Sequence, residues 1–280
     1  MIVYRTKTDL SGQLLSLKNE GKTIGLVPTM GALHDGHASL VEKATAENDI
    51  VVASIFVNPT QFNDPSDLDK YPRTLDRDLE LLRRLKADFA FVPSVKEMYP
   101  RPDERTFDLG GLDRVMEGLH RKGHFNGVAQ IVSKLFLLIR PHRAYFGQKD
   151  FQQLVIIRRL VDILKLDICI VPCPIIRESD GLALSSRNVR LSKEERKLAP
   201  FIYETLLQAR SKMADLTPAQ VKEWVTFQFE GQPAFQLEYI EIVEDKWLKP
   251  VDDWGEEVNK VACIAVHLGD VRLIDNLNFD

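Results

Sequence analysis

The side chains best suited to chemistry are His34 and His37, in the segment VPTMGALHDGH at positions 27–37. Two imidazoles at that spacing, with Gly31 and Gly36 beside them, admit three readings. They could ligate a metal, although no third ligand follows at a usual spacing. They could be ordinary surface histidines. Or they could handle an anion. Glycines let backbone approach a phosphate closely, and the N–H groups that open a helix receive negative charge. A helix N-terminus disfavours positive charge, so an imidazole there is favoured as the neutral ring. A neutral ring still donates a hydrogen bond to charge developing on phosphate oxygens. A Walker-type loop would need Gly-Lys-Ser/Thr at this place, and the segment has none.

Other groups invite the same weighing. Asn58 and Gln61 follow an apolar run. Neutral amides offer donors and acceptors together, which suits a small polyhydroxy acid, while Asn58-Pro59 is also ordinary turn chemistry. Lys149 lies between a short apolar run and a helical one, a compact charge for a polyphosphate. Asp150 and Gln153 stand at capping-box spacing, and the cap is assigned to Asp150. Ser185, Ser186 and Arg187 offer hydroxyls and a bidentate guanidinium to phosphate oxygens, although the segment alone reads as a linker. His120, His142 and His267 lack such context, and His124 is the one placed near the candidate site. Asp76 and Asp78 read as the solvated charged face of a helix.

The elements that must position these residues follow from hydrophobic period. Residues 23–27, 50–57, 89–92, 144–146 and 168–171 are short apolar runs, read as strands. Between them residues 37–48, 73–86, 130–139 and 151–164 have helical length, and Leu75, Leu79, Leu82 and Leu85 form a stripe. Such alternation predicts a Rossmann-like α/β fold, a parallel sheet with helices on both faces. In such a sheet ligands collect at the carboxyl ends of the strands, where His34 and His37 would lie. After residue 174 the pattern changes. Ser192 to Glu195 and Thr217 to Gln220 look like capping boxes. Residues 237–243, 260–268 and 271–274 then alternate as an antiparallel sheet. The expected domains are therefore 1–174 and a smaller α+β lid domain, 175–280. Residues 99–104 (YPRPDE) read as an exposed loop.

Bulk properties narrow the function class. A chain of 280 residues with 44 % hydrophobic and 28 % charged residues is ordinary globular protein, and its net charge of −4 argues against a nucleic-acid partner. Cys169, Cys173 and Cys263 are too few and too odd in number for a disulfide framework, which points to a reducing compartment. The N-terminus has no secretory pattern, and no apolar stretch approaches the ~20 residues that span a bilayer. A cytoplasmic enzyme without a membrane partner is expected.

His34-Asp-Gly-His37 resembles the HxGH signature of nucleotidyltransferases, which act on the α-phosphate of an NTP. The longer string at 28–40 (PTMGALHDGHASL) is far more specific and resembles the pantothenate synthetase family. Residues 56–62 (FVNPTQF), 147–153 (GQKDFQQ), 177–188 (RESDGLALSSRN), 71–74 (YPRT) and 123–128 (GHFNGV) agree in order and spacing. The resemblance implies ATP-dependent activation of pantoate as an acyl-adenylate, attack by β-alanine, a requirement for Mg²⁺ and a homodimer. It implies nucleotide contacts at Met30, Gly31, Ala32, Leu33, His34, Asp35, Gly36, His37, Gly147, Gln148, Lys149, Asp150, Ile176, Leu184, Ser185, Ser186 and Arg187. Pantoate falls to Gln61, Gln153 and Asn58, and charge stabilisation to His34, His37, Lys149, Ser185, Ser186 and Arg187. Many relatives carry Glu where this chain has Gln148, which leaves only a backbone role there. Two rivals remain: a nucleotidyltransferase with a phosphorylated acceptor, which should carry basic residues at Asn58, Gln61 and Gln153, and a non-catalytic nucleotide sensor.

Overall fold

Short β-branched runs alternating with amphipathic ones build a six-stranded parallel sheet, in the spatial order Ile2–Tyr4, Phe89–Phe91, Ile50–Ile55, Ile24–Thr29, Arg143–Gly147, Cys169–Cys173. A computed structural model describes residues 1–63 and 65–280 and divides the chain into two compact units. The first comprises Met1–Gln148 and Ile156–Pro174, and the second Lys149–Val155 and Ile175–Asp280.

The first unit runs β1 (Ile2–Tyr4), α1 (Lys7–Asn19), β2 (Ile24–Thr29), α2 (Asp35–Glu47), β3 (Ile50–Ile55), α3 (Pro65–Lys70), α4 (Leu75–Arg84), β4 (Phe89–Phe91) and α5 (Val95–Met98). It continues with α6 (Glu117–His120), α7 (His124–Ile139), β5 (Arg143–Gly147), α8 (Phe151–Leu164) and β6 (Cys169–Cys173). The first turn of α8 groups with the second unit. Side chains alternate across the strands. Val27, Ala53, Ala90 and Tyr145 join Leu40 and Val41 of α2 and Leu79 and Leu82 of α4 in one buried cluster. On the opposite face Phe146 of β5 meets Phe136 of α7 edge to face. Each such apolar side chain contributes about 1.5–3 kcal/mol by burial.

The second unit carries α9 (Lys193–Leu198), α10 (Phe201–Ser211), α11 (Pro218–Glu230), β7 (Phe235–Glu244), β8 (Lys260–Leu268) and β9 (Val271–Asn278), with an antiparallel sheet in the order β7-β8-β9. Both capping boxes form, at Ser192 with Glu195 and at Thr217 with Gln220. Phe229 of α11 and Phe235 of β7 pack edge to face in its core.

Several boundaries differ from the sequence reading, each for a physical reason. Helix α2 starts at Asp35 rather than residue 37, because His34 caps it. Helix α7 starts at His124, well before residue 130, since Gly123 supplies a left-handed N-cap and Gly127 a close contact. Strand β9 continues to Asn278 because Asp275 and Asn276, which interrupt the apolar alternation, are themselves buried. Lys149–Val155, expected with the first domain, group with the second unit, where the Asn276 side chain holds the Lys149 backbone. β1 and α1 were not foreseen; α1 buries only Leu10 and Leu14, too sparse a stripe to read.

Candidate active site

From β2 the sheet grows through β3 and β4 on one side and through β5 and β6 on the other. The direction of winding reverses between β2 and β5, and the crevice outside their carboxyl ends is where such sheets take ligands. The loop leaving β2 carries Met30, Gly31, Ala32, Leu33 and His34 into α2, and β5 ends on Gly147, followed by Gln148. With Asp35, Gly36 and His37 of α2 and Asn58 and Gln61 after β3, these are the expected site residues of the first unit.

At the head of α2 the two histidines cap the helix themselves. His34 Nδ1 accepts from the Gly36 N–H at 3.1 Å, and His37 Nδ1 accepts from the His34 N–H at 3.4 Å. The rings stand 4.1 Å apart, centroid to centroid. An Nδ1 that accepts carries no proton, so in each neutral ring the hydrogen sits on Nε2. The His34 and Gly36 N–H groups are therefore engaged by imidazole, and the His37 N–H turns inward, to the His34 carbonyl at 2.8 Å. Asp35 occupies the first helical position, where its charge suits the dipole.

The preceding turn is held from behind. Gly31 and Ala32 have φ of 83° and 50°, and a left-handed alanine costs about 1–2 kcal/mol. Asp78 of α4 offsets this: Oδ2 accepts from Ala32 N–H and Oδ1 from Leu33 N–H, both at 2.9 Å. Thr74 Oγ1 donates to Oδ1 at 3.0 Å. Asp78 is 1 % exposed. The reading of Asp78 as part of a solvated charged face is wrong, because two of its partners, the Ala32 and Leu33 N–H groups, sit on a different element that helical period cannot show.

Gln61 ends a single 3-10 turn, Pro59–Gln61, after β3. Its Nε2 donates to Met30 Sδ at 2.9 Å and its Oε1 accepts from Asn58 Nδ2 at 3.1 Å. Asn58 is 1 % exposed; Nδ2 also donates to the Gly127 carbonyl, and Oδ1 accepts from the Tyr99 and Thr60 hydroxyls. All its capacity is taken inside the protein. The expectation that Asn58 itself grips substrate is revised: it stands behind Gln61. The buried His124 ring lies 2.7 Å from the Gln61 carbonyl through Nδ1 and 3.2 Å from Arg121 through Nε2. A guanidinium only donates, so Nε2 accepts and Nδ1 donates to Gln61. Tyr99, read as part of an exposed loop, is half-buried, and burial pushes its hydroxyl above the ordinary tyrosine range.

The second unit holds Lys149, Asp150, Gln153, Ile176, Leu184, Ser185, Ser186 and Arg187. Leu184 N–H donates to the Ile176 carbonyl at 3.0 Å, closing a hairpin whose turn includes Gly181 at φ 94°. A Cβ at Gly181 would sit 2.6 Å from the Tyr203 ring. Arg177 stacks on that ring at 3.7 Å and grips Asp275 with both terminal nitrogens, at 2.6 and 2.9 Å. Burial drives the Asp275 carboxyl upward in pKa, and Arg177 opposes that. Ser185 Oγ accepts from the Arg187 N–H at 3.2 Å, so the serine–arginine segment is an ordered turn rather than a bare linker. The cap expected of Asp150 is absent. Gln148–Asp150 form a 3-10 turn running directly into α8, and the exposed Asp150 side chain forms no hydrogen bond among the described residues. Asp78, Tyr99, Gly127 and Asn276 escaped the sequence reading, because each acts through a partner distant in the chain.

Known proteins share this arrangement over its whole length. A family model described as pantoate-beta-alanine ligase matches residues 2–278. A pantothenate synthetase of Porphyromonas gingivalis is 54 % identical over 280 residues, covering 100 % of both chains. One of Bacteroides fragilis is 56 % identical over 279 residues, covering 100 % of this chain and 99 % of the relative. The pantothenate synthetase of Thermus thermophilus matches in structure with a TM-score of 0.92 at 43 % identity, over 100 % of this chain and 99 % of that one. Pantoate-beta-alanine ligase from Francisella tularensis, solved with beta-gamma ATP and beta-alanine, has a TM-score of 0.81 at 36 % identity, over 100 % and 98 % of the two chains. With the reversal of winding at β2 and β5 and the paired imidazoles at the head of α2, these matches place the chain in the pantoate-β-alanine ligase family.

Proposed function

We propose that the chain condenses pantoate with β-alanine through pantoyl-adenylate, converting ATP to AMP and pyrophosphate. Oxide is an impossible leaving group, so a free carboxylate must first be activated. A pantoate carboxylate oxygen attacks the α-phosphorus, the bond to the β-phosphate oxygen breaks, and pyrophosphate departs with that electron pair. The β-alanine amine then attacks the acyl carbon, the bond to the adenylate oxygen breaks, and the amine gives up a proton as AMP leaves.

The observation that carries this reading is the doubly capped imidazole pair. With Nδ1 accepting from backbone, each Nε2–H is a fixed donor for charge growing on phosphate oxygens, preorganised before the reaction. Gln61, held at both ends of its amide, and Gln153 are neutral amides that suit a small polyhydroxy acid and not a phosphorylated acceptor. Asn58 acts through Gln61. Lys149, Ser185, Ser186 and Arg187 are assigned to phosphate charge from the family resemblance, and Ile176 and Leu184 to the adenine. ATP is taken with Mg²⁺ on its phosphates, which adds neutralising charge for the departing pyrophosphate. The described residues contain no cluster of acidic or thiol and imidazole groups that would cage a metal. We assign the enzyme to the cytoplasm, as a homodimer.

The test is pantoate-dependent exchange of labelled pyrophosphate into ATP, with wild type and His37→Ala. Exchange that needs pantoate, and falls about a hundredfold in the variant, is expected from loss of one preorganised donor. Absence of pantoate-dependent exchange would overturn the reading, in favour of the phosphorylated-acceptor enzyme if such an acceptor supports exchange and of the sensor if none does.

A further inference from the structure

The reaction as proposed leaves one buried charged group without a task. Asp78 lies on α4, one turn beyond the 71–74 segment and outside the residues that carry the sequence signature, and its side chain is buried. Among the described residues no cation pairs with it; its hydrogen-bond donors are the Ala32 and Leu33 N–H groups and the Thr74 hydroxyl. A carboxylate taken out of water and stabilised by dipoles alone is retained only where those dipoles must be held. Here two consecutive N–H groups of the β2–α2 turn are drawn inward, one to each oxygen, which sets the left-handed φ of Gly31 and Ala32. The turn is also tightly fitted: a Cβ at Gly31 would approach Asp78 Oδ2 to 3.0 Å and Ile55 Cγ2 to 3.2 Å.

His34 follows the Leu33 amide directly, and it caps α2 while receiving its own cap from His37. The position of both rings is therefore set by the path of the chain through residues 31–33. We propose that Asp78 is a positioning residue for adenylate formation: it fixes this turn so that the Nε2–H donors of His34 and His37 meet the transferring phosphate. The inference rests on the reading that those imidazoles act on ATP, and goes beyond it by assigning an essential role to a residue that touches no substrate. The required chemistry is specific. Asparagine keeps shape and size but presents an amide N–H to one of the two backbone donors, so the turn must shift. A displacement of an ångström at the reacting centre costs about a hundredfold.

The experiment compares wild type, Asp78→Asn, His37→Ala and the double variant in pantoate-dependent pyrophosphate exchange, with thermal unfolding alongside. Expected is a fall in kcat of about a hundredfold for Asp78→Asn, with the KM values for ATP and pantoate little changed, the pattern of a contact made in the transition state. In the His37→Ala background the same substitution should cost much less, because both act through one imidazole pair. A merely structural role would leave the two effects multiplicative. Wild-type turnover in Asp78→Asn, or fully multiplicative losses, overturns the proposal. If Asp78→Asn does not fold, Thr74→Val removes one donor and spares the turn contacts. A smaller loss in kcat, again non-multiplicative with His37→Ala, supports the proposal, and unchanged turnover overturns it. Near-normal exchange in His37→Ala alone would remove the underlying reading, and is told apart by that single variant.

Discussion

The Asn276 side-chain amide donates to the backbone carbonyl of Lys149 at 3.0 Å, so a β9 residue near the end of the chain fixes the loop that carries the lysine. Asn276 is buried, and its neighbour Asp275 anchors Arg177, which opens the hairpin preceding Ser185. One strand end therefore organises two segments of the second unit that are assigned to phosphate only by proposal. A neutral hydrogen bond of this kind is worth about 0.5–1.5 kcal/mol. Asn276→Ala should therefore lower kcat/KM for ATP about three- to tenfold while leaving the pantoate KM unchanged. Steady-state kinetics with each substrate varied decides this, and an unaltered ATP dependence refutes it.

His34 has two duties that substitution can separate. Its Nδ1 caps α2, and its Nε2–H is assigned to phosphate. Asparagine is among the best N-caps but has no donor at the position of Nε2. His34→Asn should therefore unfold at the same temperature as wild type or slightly higher, and lose about a hundredfold in turnover. His34→Ala should lose both, with about 0.5–2 kcal/mol of stability gone from the missing cap. Equal activity in wild type and His34→Asn would dismiss the imidazole donor.

Much of the fold was legible because its causes are local. The apolar runs that become β2, β3 and β5 and the boxes at Ser192 and Thr217 each depend on neighbours a few residues away. The motif residues His34, His37 and Gln61 were legible for the same reason. What was hidden depends on distance in sequence. Asp78 looks like any acidic residue on an amphipathic helix until Ala32 and Leu33 are brought to it. Gly123 and Gly127 look like breakers of α7, and Asp275 and Asn276 look like the end of β9. In each case the residue breaks the local pattern because it serves a contact the pattern does not contain.

Gly127 is the sharpest of these. A Cβ there would lie 2.2 Å from the Thr60 carbonyl oxygen and 2.7 Å from the Gln61 nitrogen, both backbone atoms. The turn carrying Gln61 presses directly on α7, and Asn58 and His124 tie the two together. Gly127→Ala must push that turn away, at about 1–3 kcal/mol of stability from overpacking. The pantoate KM should rise while the ATP KM holds, since the turn bears on Gln61 and not on the imidazoles. A variant with unchanged pantoate KM would detach Gln61 from substrate.

The same wall depends on acid-sensitive contacts. Asp103 is gripped by Arg105 through Nε at 2.8 Å and a terminal nitrogen at 2.7 Å, and by Lys134 at 2.9 Å. Lys134 also lies 4.8 Å from the Tyr99 ring centroid, and the Tyr99 hydroxyl donates to Asn58 at 2.8 Å. Hydrogen bonds from Arg105, opposed by burial and aided by Lys134, hold the Asp103 carboxyl far below the usual carboxylate range. A folded pKa below the unfolded one means that the unfolded chain binds the proton first. The contribution of Asp103 is therefore complete above the unfolded pKa of about 4 and is lost as pH falls through the folded value. Urea midpoints of wild type and Asp103→Asn should differ most above about pH 5 and converge as the solution is acidified below about pH 4. A gap that stays constant or widens in acid would show that the carboxylate, as an ion, does not hold this wall.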